Sequence, residues 1–139
     1  MGGGMRAGVL AGSVLTAITL MGLRAVADAP ALYTASQASA GGAVFAQQCA
    51  TCHGANLEGV AGPALKGPVF HQMAAAQNLN AQSLLAVISQ SMPQDNPGSL
   101  TPPQYAALVA FILQQNGYPA GAAELSAGTP NLKDLPLSQ

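Results

Sequence analysis

Cys49-Ala50-Thr51-Cys52-His53 decides how this chain is read, because these five residues hold both cysteines of the sequence and one of its two histidines. Two thiols three positions apart, with an imidazole beside the second, have four plausible uses. A redox dithiol belongs at the start of a helix in a βαβ setting, and no run with clean strand alternation accompanies this one. A zinc site needs four ligands, and adding His71 to Cys49, Cys52 and His53 gives a spacing unlike the usual fingers. A structural disulfide would close a very tight ring over two intervening residues. The fourth use, C-x-x-C-H as the attachment site of a c-type haem, fits the pattern best. Cys49 and Cys52 are then expected to carry the covalent thioethers and His53 to reach the iron.

Working outward, Gly41, Phe45 and Cys49 follow at intervals of four and share one helical face, so a helix is expected to end at the motif. Before it, Ala29 to Ala40 reads as an arm, with Ser36 or Ser39 as the N-cap. After it, Gly54 to Phe70 is rich in Gly, Pro and Asn and reads as a functional loop. Asn80 caps a run in which Leu84, Val87 and Ile88 are expected on one face, and that helix must stop before Pro93, leaving Met92 just past its end. Thr101-Pro102-Pro103-Gln104 is a capping box with proline in the first turn, and Tyr105, Leu108, Val109 and Ile112 then repeat at helical spacing until Gly117 and Pro119. The segment beyond Tyr118 reads as a mobile tail or a surface strap. Neither an internal repeat nor an alternating strand is visible.

Composition sets further bounds. The 139 residues suit one domain, and half are hydrophobic, yet there are only three Phe, three Tyr and no Trp. A core of Ala, Leu and Val gains modest burial energy at roughly 25 cal/mol per Å², and a large flat apolar cofactor would supply the missing bulk. Arg6, the uncharged stretch Ala7 to Leu23 and the small residues Ala25-Val26-Ala27 form the order of a secretory signal peptide, expected to be cut after Ala27. An uncleaved membrane anchor is the alternative. Export would place the protein in the periplasm, an oxidising compartment. Residues 28–139 keep two lysines against five carboxylates, a formal charge of −3. Nothing there neutralises a row of phosphates, so nucleic acid is not an expected partner. Long-range steering is weak, which favours a partner held by an uncharged face.

A second axial ligand for the iron would come from His71, Met73 or Met92. Met92 sits in Ser91-Met92-Pro93, where proline stiffens a loop able to hold sulfur over the distal face. A thioether there raises the reduction potential and closes the position to small ligands. His71 and Met73 lie in a Gln- and Ala-rich stretch and read as structural.

These residues together resemble class I c-type cytochromes over about Ala35 to Gly117. That resemblance implies a small all-α domain whose N- and C-terminal helices cross near a single covalent haem c. Gly41 and Phe45 match the pair on its first helix, and Leu108 and Phe111 the pair on its last. Gly62-Pro63-Ala64-Leu65 is similar to the loop whose proline carbonyl accepts from the proximal imidazole, so Pro63 is implied to orient His53. Met92-Pro93, Asn96 to Leu100, Tyr105 and Asn116 to Pro119 look like the cytochrome c subunits that accept electrons from pyrroloquinoline quinone-dependent alcohol or sugar dehydrogenases. The scarcity of lysine departs from the lysine-ringed docking face of the mitochondrial branch.

The expected organisation is a signal peptide at 1–27, an arm at 28–40, a cytochrome c domain at 41–118 and a tail at 119–139. The expected function is a periplasmic electron carrier and not an enzyme. It would take single electrons from a quinoprotein dehydrogenase and pass them to an oxidase or another cytochrome. The alternatives are a haem subunit that works only within a dehydrogenase complex, and a haem sensor or enzyme that binds a small molecule at the iron.

Overall fold

In the computed structural model, which describes residues 1–2 and 29–138, the chain is all-helical apart from an isolated antiparallel bridge between Asn80 and Pro136. The helices are α1 (Ala35–Gln48), α2 (Ala50–His53), α3 (Gly67–Ala76), α4 (Ala81–Ser91) and α5 (Pro102–Gln115), followed by a 3₁₀ turn at Leu132–Asp134. The expected signal peptide falls, but for Met1 and Gly2, outside the described residues. None of the described helices is long and apolar enough to cross a membrane.

Helix α1 starts earlier than the serines suggested. Thr34 Oγ1 accepts from the Gln37 amide at 3.2 Å, so Thr34 is the N-cap and neither Ser36 nor Ser39 is. Burial explains the extension, because Gln37 and Ala38 are buried with Gly41 and Phe45. Positions 37, 41 and 45 form one stripe, and tertiary packing of a stripe stabilises a helix more than propensity does. That stripe meets α5. A Cβ on Gly41 would lie 1.9 Å from the Ala107 carbonyl oxygen, so the two backbones approach as only glycine permits. One turn on, the Phe45 and Phe111 rings pack at a centroid distance of 5.3 Å and an angle of 44°. Helix α5 is buried along most of its length, from Tyr105 to Leu113 with only Phe111 half-exposed, and forms the spine of the core.

Two elements differ from expectation. The Gly54–Phe70 loop is shorter than its composition implied, because α3 begins at Gly67 with Pro68 in its first turn. Proline there starts a helix, since the missing N–H has no intrahelical acceptor anyway. Helix α4 is capped reciprocally by Asn80 and Ser83, with both hydrogen bonds at 2.9 Å. Its buried face is Ala81, Leu84, Leu85 and Ile88, while Val87 is 48% exposed. The stripe is i, i+3, i+4, i+7, turned away from Val87.

The segment after Tyr118 is a strap. Leu125, Leu132, Leu135 and Leu137 are each at most 3% exposed, and burying a leucine contributes about 1.5–3 kcal/mol. Its backbone is matched as well. Gln37 Nε2 donates to Leu125 O at 2.7 Å and Gln37 Oε1 accepts from Leu125 N at 2.8 Å. Ala81 N donates to Leu135 O, and Leu137 N to Leu79 O, both at 3.0 Å. The Tyr33 hydroxyl donates to Tyr118 O, and the Tyr118 hydroxyl to Pro136 O.

Charge plays little part in this packing, since Glu58, Asp95, Glu124 and Asp134 are all exposed. Protonating exposed carboxylates removes little native-state stabilisation. The fold is therefore expected to keep its helical circular dichroism from pH 7 down to pH 4. A loss of that signal between pH 5 and pH 4 would contradict this account.

Candidate functional site

The Cys49–His53 stretch is a single tight turn joined end-on to α1. Cys49 closes α1, its amide donating to Phe45 O at 2.9 Å, and its carbonyl then accepts from Cys52 N at 3.1 Å and His53 N at 2.9 Å. Both thiols are free, Cys49 half-buried and Cys52 exposed. Burial, aided by the neighbouring Cys52, pushes the Cys49 thiol up to about 11. A thiol so raised is almost entirely protonated at neutral pH, the opposite of the lowered thiolate that a redox dithiol needs. Among the described residues no group of three or more His, Cys, Asp or Glu could hold a metal ion, which leaves the zinc reading without its four ligands.

The loop that follows folds back over this turn. Gly59 N donates to His53 O at 2.7 Å, and Val60 N and Gly62 N donate to Cys52 O at 3.0 and 2.8 Å. These bonds satisfy the carbonyls a helix end leaves without partners. Leu57 anchors the loop, only 2% exposed and in the left-handed region at φ 61°, while its carbonyl accepts from Leu65 N at 2.9 Å. The result brings Pro63 to the imidazole: His53 Nδ1–H donates to Pro63 O at 2.8 Å. With Nδ1 carrying that proton, Nε2 is the ring nitrogen left to bind a metal. Gly62 lies against the same ring, where a Cβ would sit 2.8 Å from Cε1 and 2.9 Å from Nδ1. The donor set therefore fits a covalent haem: two unpaired thiols on one turn, and an imidazole held in the metal-binding tautomer beside them.

Met92 is held at the end of α4, its amide donating to Ile88 O at 3.0 Å, and its side chain is partly buried against the core. The Tyr105 hydroxyl donates to Met92 O at 2.9 Å and accepts from Leu100 N at 3.3 Å. One buried hydroxyl on α5 thus clasps both ends of the Met92–Leu100 loop. Tyr105→Phe leaves the Leu100 N–H and the Met92 carbonyl without that partner. It is expected to cost about 1–2 kcal/mol in chemical denaturation, and an unchanged midpoint would show that the clasp does not hold the loop.

His71 Nδ1–H donates to Leu137 O at 2.8 Å, so this histidine serves the strap, and Met73 is a partly buried side chain of α3. Two contributors escaped the sequence reading in their roles, Tyr105 and Asn116. Tyr105 stood out as a helical core position and as a member of the Met92 to Pro119 string of the resemblance, and neither reading gave its hydroxyl a partner. Asn116 stood only in the Asn116 to Pro119 string of that resemblance, and its long-range contacts leave no local signal.

Residues 36–112 match the family described as cytochrome c oxidase, cbb3-type, subunit III. The match covers more than half of the chain and takes in the cysteine turn, the Pro63 loop and Met92. A comparison with curated proteins gives no significant match. Among solved structures, a chain of the sulfane dehydrogenase SoxCD from Paracoccus pantotrophus is similar, with a TM-score of 0.52 and 20% identity over 89% of this chain and 68% of that one. A likeness at that identity speaks for the fold.

Proposed function

The chain belongs to the cbb3-type cytochrome c oxidase subunit III family of cytochrome c domains, and on that premise we propose that it is an exported monohaem electron carrier. A haem c, when bound, supplies a one-electron Fe(III)/Fe(II) couple. Cys49 and Cys52 would hold it through thioethers, and His53 and Met92 would bind its iron. The observation that carries this reading is the His53 Nδ1–H bond to Pro63 O at 2.8 Å. It fixes the tautomer, orients the ring and raises the basicity of Nε2. Met92, on a clasped loop, would supply a thioether sulfur to the iron, which raises its potential and leaves it no open site for a small ligand.

The electron donor we propose is a quinoprotein dehydrogenase, and the acceptor an oxidase or another cytochrome. The string Met92-Pro93, Asn96 to Leu100, Tyr105 and Asn116 to Pro119 supports that donor, and the similarity to a chain of a sulfane dehydrogenase supports a dehydrogenase partner more broadly. Val60, 73% exposed in the loop beside the cysteine turn, offers an apolar contact of the kind a nearly uncharged partner face would use. Export to the periplasm is the reading that the signal-like order of residues 1–27 supports. The strap favours a free-standing carrier over an obligatory subunit, because the long C-terminal segment already packs on its own domain.

The experiment mixes oxidised protein, purified from its exporting host, with a quinoprotein alcohol dehydrogenase and its alcohol. One electron per chain is expected to arrive, with the spectrum passing fully to the reduced form. Reduction no faster than in the absence of the dehydrogenase would rule out that donor.

A further inference from the structure

We propose that Asn116 is a positioning residue for the proximal histidine, acting through the loop that carries Pro63; this rests on the reading of His53 as an iron ligand. Asn116 is the C-cap residue of α5 and is 8% exposed. Its side chain reaches back 51 residues in sequence, where Nδ2 donates to Leu65 O at 2.9 Å. Its Oδ1 accepts from Gly67 N at 3.0 Å, and Nδ2 also donates to Ile112 O at 2.8 Å within its own helix. One amide thus ties the end of the loop to the spine of the core at two consecutive peptide units, Leu65–Lys66 and Lys66–Gly67.

The geometry gives this a purpose beyond closing a helix. The other backbone bonds of the loop close on the cysteine turn or on the loop itself: Gly59, Val60 and Gly62 to His53 and Cys52, and Leu65 to Leu57. The first three hold the loop before Pro63 to the turn that carries His53; beyond Pro63 the only one of them is Leu65 N to Leu57 O, so the exit of the loop depends on that bond and on Asn116. Asn116 ties that exit to α5, two residues beyond Pro63. With the loop end fixed, the Pro63 carbonyl stays within 2.8 Å of His53 Nδ1 and Gly62 stays against the ring. A buried amide with both ends engaged is costly to rearrange, so it locks one arrangement. Releasing it would let Pro63 drift, weakening a bond that makes the imidazole more electron-rich and so favours Fe(III).

The test uses the full haem-loaded protein from its exporting host. Asn116→Leu keeps the approximate shape and removes the side-chain hydrogen bonds to Leu65, Gly67 and Ile112. Asn116→Asp keeps an acceptor for Gly67 but offers no amide donor to Leu65. In both, solvent exchange of the His53 Nδ1 proton, followed by NMR in the reduced state, is expected to speed up at least tenfold. The Fe(II)/Fe(III) ratio at a fixed ambient potential is expected to rise at least threefold. Val109→Ala, a cavity at a fully buried site of the same helix, controls for stability loss alone and is expected to leave both readouts at their wild-type values. Wild-type exchange and ratio in the Asn116 variants would overturn the proposal, as would equal shifts in Val109→Ala. A wild type whose spectrum shows no histidine on the iron would overturn the underlying reading instead, before any variant is compared.

Discussion

Met92→Ala is expected to abolish the sulfur-to-iron charge-transfer band of the oxidised protein and to lower the midpoint potential by about 100 mV or more, roughly two decades in the electron-transfer equilibrium at ~59 mV per decade for one electron. The direction follows from the ligand, since a thioether stabilises Fe(II) relative to the water or nitrogen donor that replaces it. The fold should survive. Met92 is only partly buried, and the contacts that hold its loop, from Ile88 O to its amide and from the Tyr105 hydroxyl to its carbonyl, are made by the backbone at residue 92 and remain in the variant. A stability loss of about 1–2 kcal/mol is expected from the truncated side chain. A band that persists in Met92→Ala would remove this residue from the iron.

The largest effect on stability is expected at Gly41. A methyl there meets the Ala107 carbonyl oxygen at 1.9 Å and its carbon at 2.4 Å, and backbone in the middle of a buried helix cannot step aside. Overpacking a core costs about 1–3 kcal/mol when side chains can yield, so Gly41→Ala is expected to cost at least about 3 kcal/mol. For a domain of this size that lowers the melting temperature by roughly 15 °C. Gly42 is the matching control on the same helix. Its Cβ would touch the Phe111 ring at 3.2 Å, near the end of a half-exposed side chain, and alanine gains about 1 kcal/mol of helix propensity over glycine. Gly42→Ala should therefore be near neutral. Equal melting temperatures for the two variants would show that the close crossing of α1 and α5 is not what the Gly41 position secures.

The parts of this protein that were legible in its sequence are those whose signals are local. The cysteine turn, the Gly62-Pro63 pair, the capping box at Thr101 and the core stripe of α5 each lie within a few residues. The Thr101 amide and hydroxyl do donate to Gln104 Oε1, both at 2.9 Å. Local signals misled where burial chose between near-equivalent options. Thr34, Ser36 and Ser39 all stand near the start of α1, and Thr34 caps because Gln37 and Ala38 have to be inside the helix to be buried. Pro68 resembled loop punctuation until the turn after it was seen to be helical. Val87 was one residue away from the stripe that α4 buries. Non-local pairings left no trace at all: Gln37 with Leu125, His71 with Leu137, and Asn116 with Leu65 join residues 88, 66 and 51 positions apart. The segment after Tyr118 read as either a mobile tail or a surface strap, because its partners are spread over α1, α3 and the start of α4.

The claim at the centre of this account is a carrier whose iron has both axial positions filled by the protein. Carbon monoxide added to the reduced, haem-loaded wild-type protein at neutral pH tests it most directly. The account predicts an absorption spectrum that stays unchanged, because His53 and Met92 leave no site for the gas. Rapid conversion of the whole population to a carbon monoxide complex would contradict it and would identify a chain that binds small molecules at its iron.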